Sequence, residues 1–361
     1  MTQLRTVQVL GGGSAGSSAH VRSLAAGLVA RGVRVTVCAP PELDRVYDFL
    51  GAGAHFVPVP RRNDPAAVGA LRVACAGADI VHAHGLHAAV RTGLALGGGS
   101  TPFVVTWHTR SHADGARGGL LRLLERRTVR AAAVVLGTSS ELVDRARRRG
   151  ARDARLAPIT IPPGRVPSAE TGGDEAKARA ELGAVGRPLL MAVGSLEPHR
   201  GYGTLLDAAR EWRDLDPQPL LAIAGEGRER GALQRRIEEE RLPVRLIGRR
   251  DDVTELLASA DLAVLPSRWE ARSLLAQEAL RLGVPLVATA VGGVPELVGD
   301  AAELVPYGDA PALAAAVTSL LSDRPRREAL ATAGRAQAAT WPTEDETIAQ
   351  VLSVYDELAG A

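Results

Sequence analysis

The chain has 361 residues, which is too long for one hydrophobic core of ordinary size and is typical of two domains of roughly 150 to 200 residues each. Apolar residues make up 46% of the chain and charged residues 23%, as in globular proteins, and no apolar run approaches the roughly 18 residues that cross a bilayer. The net charge of only +2 is too small to give the whole surface a positive potential that attracts nucleic acid, and we expect no nucleic-acid partner.

In the first half of the chain, short β-branched apolar runs alternate with Ala-, Leu- and Arg-rich stretches of helical period. Such alternation is typical of parallel strands joined by crossover helices and predicts a doubly wound α/β domain. The predicted strands are 7–10, 33–38, 80–82, 103–106 and 134–138, and the first predicted helix is 19–31.

This alternation is interrupted at residues 157–173, where prolines and glycines crowd a polar stretch that cannot continue a helix or a central strand. The alternation then restarts, with predicted strands at 189–193, 220–224, 244–247, 262–265 and 286–288. We therefore predict a first domain at 1–165, a linker at 166–186, a second doubly wound domain at 187–340 and a C-terminal helix at 341–361. The two predicted domains place the active site between them, in the loops beyond the carboxyl ends of the strands.

The first strand runs into a glycine-rich segment in which Gly11, Gly13 and Gly16 satisfy the dinucleotide-binding fingerprint. Backbone N–H groups at Gly12 and Gly13 can approach a diphosphate at the start of a helix, although a plain tight turn explains the glycines as well. A dehydrogenase would need an acidic residue at the end of the second strand, where this chain has alanine and two prolines instead.

The two cysteines of the chain, Cys38 and Cys75, and the absence of a signal-sequence pattern before Val7 predict a reducing, cytoplasmic location.

The stretch 266–280 follows an apolar strand and carries two carboxylates, Glu270 and Glu278, eight positions apart. We expect Glu270 in the loop between strand and helix and Glu278 about two turns along the helix, because eight residues span about 12 Å. This is too far for a close acid/base pair but suits two anchor points on one elongated ligand. Between them, the backbone N–H groups of Arg272, Ser273 and Leu274 can hold an anion. The simpler alternative is one glutamate that caps a helix and another on a solvated face.

With this pair of glutamates, the sequence resembles the retaining glycosyltransferases of the GT-B fold, family 4 in particular, over nearly the whole chain. The resemblance also rests on Gly-Val-Pro-Leu-Val-Ala-Thr at 283–289, Gly-Gly-Val-Pro-Glu-Leu-Val at 292–298 and Pro-Tyr-Gly-Asp at 306–309. It implies two Rossmann-like domains that face a central cleft, and a C-terminal helix, 341–361, that returns to the first domain. In such enzymes the residue matching Glu270 contacts the hydroxyls of the donor sugar, and the residue matching Glu278 binds the nucleotide ribose.

The segment 194–201 matches the part of the family that grips the diphosphate, with two departures. Ser195 stands where the family has arginine, and Arg200 stands where it has lysine. Arg200 can still neutralise the leaving diphosphate, whereas Ser195 carries no charge. We therefore expect weaker donor binding or slower departure of the diphosphate, unless Arg268 or Arg272 supplies the missing charge.

Three histidines match family positions. The resemblance implies that His108 faces the donor sugar and acceptor, and that His84 and His20 are acceptor-side residues. His82, His84 and His87 also form a His-x-His-x-x-His pattern, but no carboxylate or cysteine joins them locally, so we predict no metal site. A loop histidine without a role is the simpler alternative for His108, and a structural role is an equal alternative for His20.

The resemblance implies transfer of a hexosyl group, with retention, from a UDP- or GDP-linked sugar to a small-molecule, lipid or glycan acceptor, with no cofactor or metal ion. Catalysis is expected to be mainly electrostatic, with His108, Glu270 and Arg200 as the catalytic residues. Two alternatives stay open: a degenerate protein that binds the sugar nucleotide without efficient transfer, which Ser195 suggests, and a GT-B nucleotide-sugar epimerase. A dehydrogenase is a third and weaker one.

Leucines and arginines interleave between residues 117 and 130, in a basic amphipathic pattern. Lipid-using relatives contact membranes through this region, so the pattern predicts peripheral contact at the inner face of the membrane. A surface helix that packs on its leucines is the alternative.

Overall fold

The computed structural model describes residues 3–12, 15–60, 64–110, 115–159 and 172–360. The chain forms two compact units: Met1–Pro162 together with Pro342–Ala361, and Pro163–Trp341. Each unit is built on its own parallel sheet, of seven strands in the first and six in the second. The predicted α/β class with two doubly wound sheets is confirmed.

The first unit has the strand order β3-β2-β1-β4-β5-β6-β7. Its central strands are buried on both faces, as expected for a parallel sheet covered by helices. The strands are β1 Arg5–Leu10, β2 Arg34–Ala39, β3 His55–Pro58, β4 Ile80–His84, β5 Phe103–Trp107, β6 Val134–Gly137 and β7 Ala154–Leu156. The helices between them are α1 Ala15–Ala30, α2 Pro41–Tyr47, α3 Ala66–Cys75, α4 Leu86–Leu96, α5 Gly115–Ala131 and α6 Ser140–Arg149.

The second unit has the strand order β10-β9-β8-β11-β12-β13. Alternate residues of its central strand face two separate cores: Leu190 and Ala192 enter one, and Leu189 and Met191 enter the other. The strands are β8 Leu189–Val193, β9 Leu220–Ala224, β10 Val244–Gly248, β11 Leu262–Leu265, β12 Leu286–Thr289 and β13 Glu303–Val305. The helices are α7 Gly172–Leu182, α8 Tyr202–Ala209, α9 Arg230–Glu239, α10 Val253–Ala258, α11 Leu274–Leu282, α12 Val294–Val298, α13 Ala310–Ser322 and α14 Arg324–Ala339, with short 3₁₀ turns at Pro198–Arg200 and Arg210–Trp212.

The last helix, α15 (Glu344–Ala359), belongs to the first unit. It begins with a capping box in which Thr343 and Glu346 bond each other's backbone N–H groups. Ile348, Val351 and Tyr355 then join the core beneath the first sheet. The C-terminal end of the chain therefore contributes side chains to the interior of the first unit.

Three strands were missed from the sequence, and each lies at the edge of a sheet: β3, β7 and β13. They are short, and Pro58, Arg155 and Glu303 break their apolar character, so they lack the continuous run that marks a central strand. Part of the range predicted as linker, 166–186, lies outside the described residues, and helix α7 occupies most of the rest. None of the helices in the described part of the chain combines the length and apolar character needed to traverse a bilayer.

Candidate active site

In the second unit, Glu270 lies in the loop that joins β11 to α11. The helix starts late because Ser273 is its N-cap, with a side-chain oxygen that accepts a hydrogen bond from Ala276 N at 3.4 Å. Glu278 is consequently in the second turn of α11, about 6 Å along the axis from Leu274. Glu270 thus lies in the loop between strand and helix, as expected, but Glu278 lies about one turn along the helix rather than two, because Ser273 delays the start of α11.

The loop that carries Arg200 packs directly against the loop that carries Glu270. Gly201 has a φ of 74°, and a Cβ atom there would lie 1.9 Å from the carbonyl oxygen of Pro266. The N–H of Arg268 also donates to the carbonyl of His199 at 2.8 Å. Only glycine allows this approach, so position 201 is required for the two loops to meet.

A third loop, after β12, holds the backbone of Glu270 from the other side. Gly292 has a φ of 57°, and a Cβ atom there would lie 2.0 Å from Glu270 O, while the N–H of Gly293 donates to that oxygen at 2.9 Å. Thr289 Oγ1 donates to the carbonyl of Ser267 at 2.6 Å. The glycine pair therefore fixes the Glu270 loop through the backbone and offers no side chain for chemistry.

The side chains of Glu270 and Arg200 form an ion pair. Glu270 Oε1 accepts hydrogen bonds from Arg200 Nη1 and from Ser267 Oγ, the latter at 2.9 Å. The Glu270 side chain is 13% exposed and the Arg200 side chain is 24% exposed. No residue in the described ranges donates a hydrogen bond to Glu270 Oε2, so this oxygen is available to a ligand. The predicted sugar-binding carboxylate and the predicted phosphate-binding cation thus form one charge-balanced unit.

The other predicted donor-binding residues of the second unit lie on the loop after β8, on the loop before α11 and on α11 itself. Ser195 is exposed just beyond β8. The Arg272 guanidinium stacks on the Trp341 ring, 5.7 Å from its centroid, and burial lowers the pKa of Arg272 to about 10. This side chain is therefore engaged in packing, and only the backbone near residues 272–274 can serve an anion. Glu278 Oε1 accepts a hydrogen bond from Thr254 Oγ1.

In the first unit, the glycine segment after β1 packs against the start of α4. A Cβ atom at Gly11 would lie 3.0 Å from Ala88 N and 3.1 Å from the Arg91 guanidinium. Gly12 follows with a φ of 90° and is exposed. Gly13, which the sequence also assigned to donor binding, lies outside the described residues.

The three histidines singled out from the sequence lie together at the carboxyl ends of β4 and β5. His84 Nδ1 is 3.2 Å from His108 Nε2, and the His20 ring meets both rings edge-on, with centroids 5.9 and 5.6 Å away. His82 adds a fourth ring, 4.2 Å from that of His84. In contrast, His87 is exposed on α4. Among the described side chains, no set of three from His, Cys, Asp and Glu is arranged to hold a metal ion.

Sequence analysis missed three polar residues that join this cluster. Gln8 Oε1 lies 3.0 Å from His84 Nε2, and the Tyr355 hydroxyl lies 2.6 Å from His82 Nδ1. Thr106 Oγ1 is 2.6 Å from His82 Nε2. A long polar side chain in the middle of the apolar β1 strand was a signal for Gln8. Nothing local to the C-terminal helix marks Tyr355.

Burial governs the charge of the cluster. It lowers the pKa of His20 to about 4 and that of His82 to about 3, with a smaller contribution from the neighbouring His20 ring in the second case. Burial and the other imidazoles hold the pKa values of His84 and His108 well below the ordinary 6.5. All four side chains are therefore uncharged at neutral pH and act as hydrogen-bonding groups rather than as cations.

Two family models together span most of the chain. The model for a glycosyl transferase 4-like domain matches residues 15–162, and the model for glycosyl transferases group 1 matches residues 174–337. Each match falls within one of the two structural units.

Among similar curated proteins, the D-inositol 3-phosphate glycosyltransferase of Geodermatophilus obscurus is 31% identical over 312 residues, which cover 78% of this chain and 68% of that protein. The GDP-mannose-dependent monoacylated alpha-(1-6)-phosphatidylinositol monomannoside mannosyltransferase of Corynebacterium glutamicum is 33% identical over 186 residues, 48% of this chain and 49% of that one. The alpha-D-kanosaminyltransferase of Streptomyces kanamyceticus is 30% identical over 217 residues, 57% and 56% of the two chains. This chain thus spans about half the length of the last two relatives.

Solved structures extend the likeness to nearly the full length. Anabaena HepE in complex with UDP superposes with a TM-score of 0.82 at 19% identity, over 99% of this chain and all of that one. The sucrose-phosphate synthase of Thermosynechococcus elongatus gives a TM-score of 0.81 at 20% identity, over the same shares of the two chains. At such identities the likeness concerns the fold, which is GT-B as the sequence predicted. The two domain models and the inositol-phosphate relative, taken with this fold, show that the chain belongs to the group 1 glycosyltransferases of family 4.

Proposed function

We propose that this protein is a retaining glycosyltransferase that moves a hexosyl group from a UDP- or GDP-linked sugar to an acceptor hydroxyl, in the cytoplasm and without a metal ion or cofactor. The ion pair between Glu270 and Arg200 beside the start of α11 carries the proposal. It combines a carboxylate oxygen that can accept from sugar hydroxyls with a cation that can stabilise a departing phosphate. The UDP and UDP-glucose complexes of HepE and the GDP-mannose dependence in the corynebacterial name support a nucleotide-sugar donor.

In this proposal, donor binding uses three parts of the second unit. Glu270 Oε2 accepts from hydroxyls of the sugar, and the backbone near Ser273 and Leu274, at the positive end of α11, holds the diphosphate. Glu278 keeps one carboxylate oxygen on Thr254 and directs the other to the ribose. A donor that occupies all three spans the N-terminal turns of α11.

Catalysis in this proposal is electrostatic. As the bond between the anomeric carbon and the phosphate oxygen stretches, negative charge grows on the diphosphate, where Arg200 and the α11 N-terminus stabilise it. The acceptor oxygen attacks the anomeric carbon on the face from which the phosphate departs, so the configuration is kept without a carboxylate nucleophile. The departing phosphate accepts the proton of the acceptor hydroxyl, so no protein group has to act as the base. The uncharged cluster of His20, His84 and His108 supplies hydrogen-bond partners for carbohydrate hydroxyls.

A donor panel tests this function directly. Purified protein is incubated with UDP- and GDP-sugars and a cell lysate, and mass spectrometry then searches for products that are heavier by one sugar residue. We expect transfer from one donor class, with the anomeric configuration of the donor kept in the product. If no donor is transferred or hydrolysed, the enzymatic proposal fails.

Ser195→Arg is expected to strengthen the site. Ser195 is exposed, and Arg200 is already balanced by Glu270, so the diphosphate meets few uncompensated cations here. A charge-assisted contact contributes roughly 1.5 to 3 kcal/mol, so kcat/KM for the donor should rise about tenfold or more. Steady-state kinetics measure the change in kcat/KM, and calorimetry with UDP and GDP measures the change in nucleotide affinity.

Ser195→Gln is the matched control, because it adds a polar side chain of intermediate length without charge. The gain should be confined to the arginine variant and should weaken as ionic strength increases. An equal gain in both variants would show that charge is not what the site lacks.

We also propose that α5 binds an anionic membrane surface. Leu120 and Leu123 are 56% and 61% exposed, and the arginines of this helix are exposed as well. The one acidic residue of α5, Glu125, is buried and paired with Arg145 and Arg149, so it does not offset the exposed positive charge. The exposed arginines are Arg117, Arg122, Arg126, Arg127 and Arg130.

Vesicle sedimentation tests the membrane proposal. The protein should bind vesicles that contain phosphatidylglycerol and not vesicles of phosphatidylcholine alone, and salt should release it. The double change Leu120→Ser and Leu123→Ser should lower binding at least about tenfold. Val185→Ser, at a valine of the second unit that is 71% exposed, is the control and should leave binding unchanged. Equal binding to both kinds of vesicle would contradict the proposal.

A further inference from the structure

A chain of hydrogen bonds runs through the first unit from helix α15 to His108. It starts at the Tyr355 hydroxyl, passes through the Gln8 amide and His84, and ends at the His108 ring. All four side chains are buried. Because each link has one donor and one acceptor, the direction of one bond sets the direction of the next.

The Gln8 amide sets the direction. Its nitrogen donates to the Tyr355 hydroxyl at 2.9 Å and, over a longer distance of 3.5 Å, to Thr6 Oγ1. Its carbonyl oxygen lies 3.0 Å from His84 Nε2. A carbonyl oxygen can only accept, so His84 must carry its proton on Nε2.

The same logic extends to His108. His84 is uncharged, so its Nδ1 has no proton and accepts from His108 Nε2 at 3.2 Å. His108 therefore also carries its proton on Nε2, and its Nδ1 has a free lone pair. This Nδ1 atom is buried, and no residue in the described ranges donates to it.

A second branch of hydrogen bonds, from Tyr355 through His82 to Thr106, has the same direction. The Tyr355 hydroxyl accepts from Gln8, and His82 Nδ1, 2.6 Å away, is the acceptor that lies within reach of the hydroxyl proton. With that proton donated to Nδ1, neutral His82 donates from Nε2 to Thr106 Oγ1 at 2.6 Å. His82, His84 and His108 then all hold the proton on Nε2, the tautomer that a neutral histidine favours in water. The opposite direction would impose the less favoured tautomer on all three rings.

We propose that Tyr355 and Gln8 are positioning residues that set the tautomer of His108, so that His108 Nδ1 accepts a hydrogen bond from a carbohydrate hydroxyl. The inference deepens the proposed function and depends on it for the identity of the ligand. A ligand without a hydroxyl at this point would leave a buried lone pair without a partner, which disfavours binding. The C-terminal helix thus acts on the site through a side chain that touches no substrate.

Nitrogen-15 NMR of the free protein labelled at histidine tests the tautomers, with His108→Gln and His84→Gln used to assign the signals. In the unmodified protein at neutral pH, both rings should show a protonated Nε2 and an unprotonated Nδ1. A proton on Nδ1 of His108 would overturn the inference.

Tyr355→Phe tests the positioning role, because it removes the hydroxyl and keeps the ring. The Gln8 amide then loses the partner that orients it, and the signals of His84 and His108 should shift toward the average of the two tautomers. Thr6→Val, which removes the longer bond of the same amide nitrogen, should leave them in place. Unchanged spectra in the tyrosine variant, or an equal change in both variants, would contradict the role of Tyr355.

Kinetics provide a second measurement. With the donor that the panel identifies, Tyr355→Phe should lower kcat about tenfold, the effect of about one hydrogen bond, while KM for the donor stays constant because the donor-binding residues lie in the second unit. A fall in kcat/KM through KM alone would argue against positioning. If the NMR tautomers are as proposed but no donor is transferred, the proposed function fails and the positioning inference stands.

Discussion

Glu270→Ala is expected to lower transfer at least about 100-fold while the fold is kept. The change removes the oxygen that is free for the sugar and releases Arg200 from its position beside the loop. The backbone of the loop should stay in place, because Gly292, Gly293 and Thr289 hold it through main-chain atoms. Turnover with the identified donor and the melting temperature measure the two parts of this prediction.

Two further variants test whether the charge of Glu270 matters and whether the loss of activity is specific to this site. Glu270→Gln keeps the shape and one acceptor oxygen but loses the charge, so we expect activity between that of the alanine variant and that of the unmodified protein. Glu328→Ala removes an exposed ion pair with Arg324 elsewhere in the second unit and should leave turnover unchanged. Near-normal turnover in the Glu270→Ala variant would overturn the assignment of this site.

The first unit is expected to lose stability steeply as the pH falls below about 6.5. The pKa values of His20, His82, His84 and His108 are lower in the folded protein than the ordinary 6.5. The unfolded chain therefore binds more protons than the folded one below pH 6.5. The contribution of neutral histidines to stability is fully present above this pH and is lost as the pH decreases toward their folded pKa values.

The size of the effect follows from the number of protons. Each histidine contributes a slope of about 1.4 kcal/mol per pH unit, so four give up to about 5 to 6 kcal/mol per unit. Between pH 6.5 and pH 5 the loss is up to about 8 kcal/mol. Typical domain stabilities are about 5 to 15 kcal/mol, so the first unit should be strongly destabilised at about pH 5. Urea unfolding followed by circular dichroism at a series of pH values measures this slope.

His20→Gln should reduce the slope by about one proton, because this ring makes no hydrogen bond to any residue that the structure describes and titrates only on unfolding. His55→Gln is the matched control, since His55 is exposed and lies outside the histidine cluster. A stability that stays flat between about pH 7.5 and pH 5 would contradict the picture of a buried, neutral histidine cluster.

The proposed donor site shows what a local motif can predict. Glu270, Ser273 and Glu278 lie within nine residues of one another, just after an apolar strand, so their order along the loop and helix follows from the sequence alone. The exact start of the helix does not, because the capping role of Ser273 depends on how the loop turns. The pairing of Glu270 with Arg200 joins two segments 70 residues apart, and neither segment signals the other.

Arg272 shows what a local motif does not reveal. From the sequence it was an available cation close to the diphosphate, and the structure stacks it on Trp341. The contact partner lies at the far end of the second unit along the chain. Charge alone therefore did not tell which arginine faces a ligand.

The sequence by itself determined the α/β class, the central strands of both sheets and the family, because these depend on apolar periodicity and on short motifs in which neighbours along the chain are neighbours in space. It also indicated His20, His84 and His108 as residues at the carboxyl ends of strands or at the start of a helix. Only the tertiary structure decided that these histidines form one buried, uncharged cluster, and that Gln8 and Tyr355 complete it. The physical reason is that burial and hydrogen-bond direction depend on residues from β1, β4, β5 and α15, which the fold brings together from both ends of the chain.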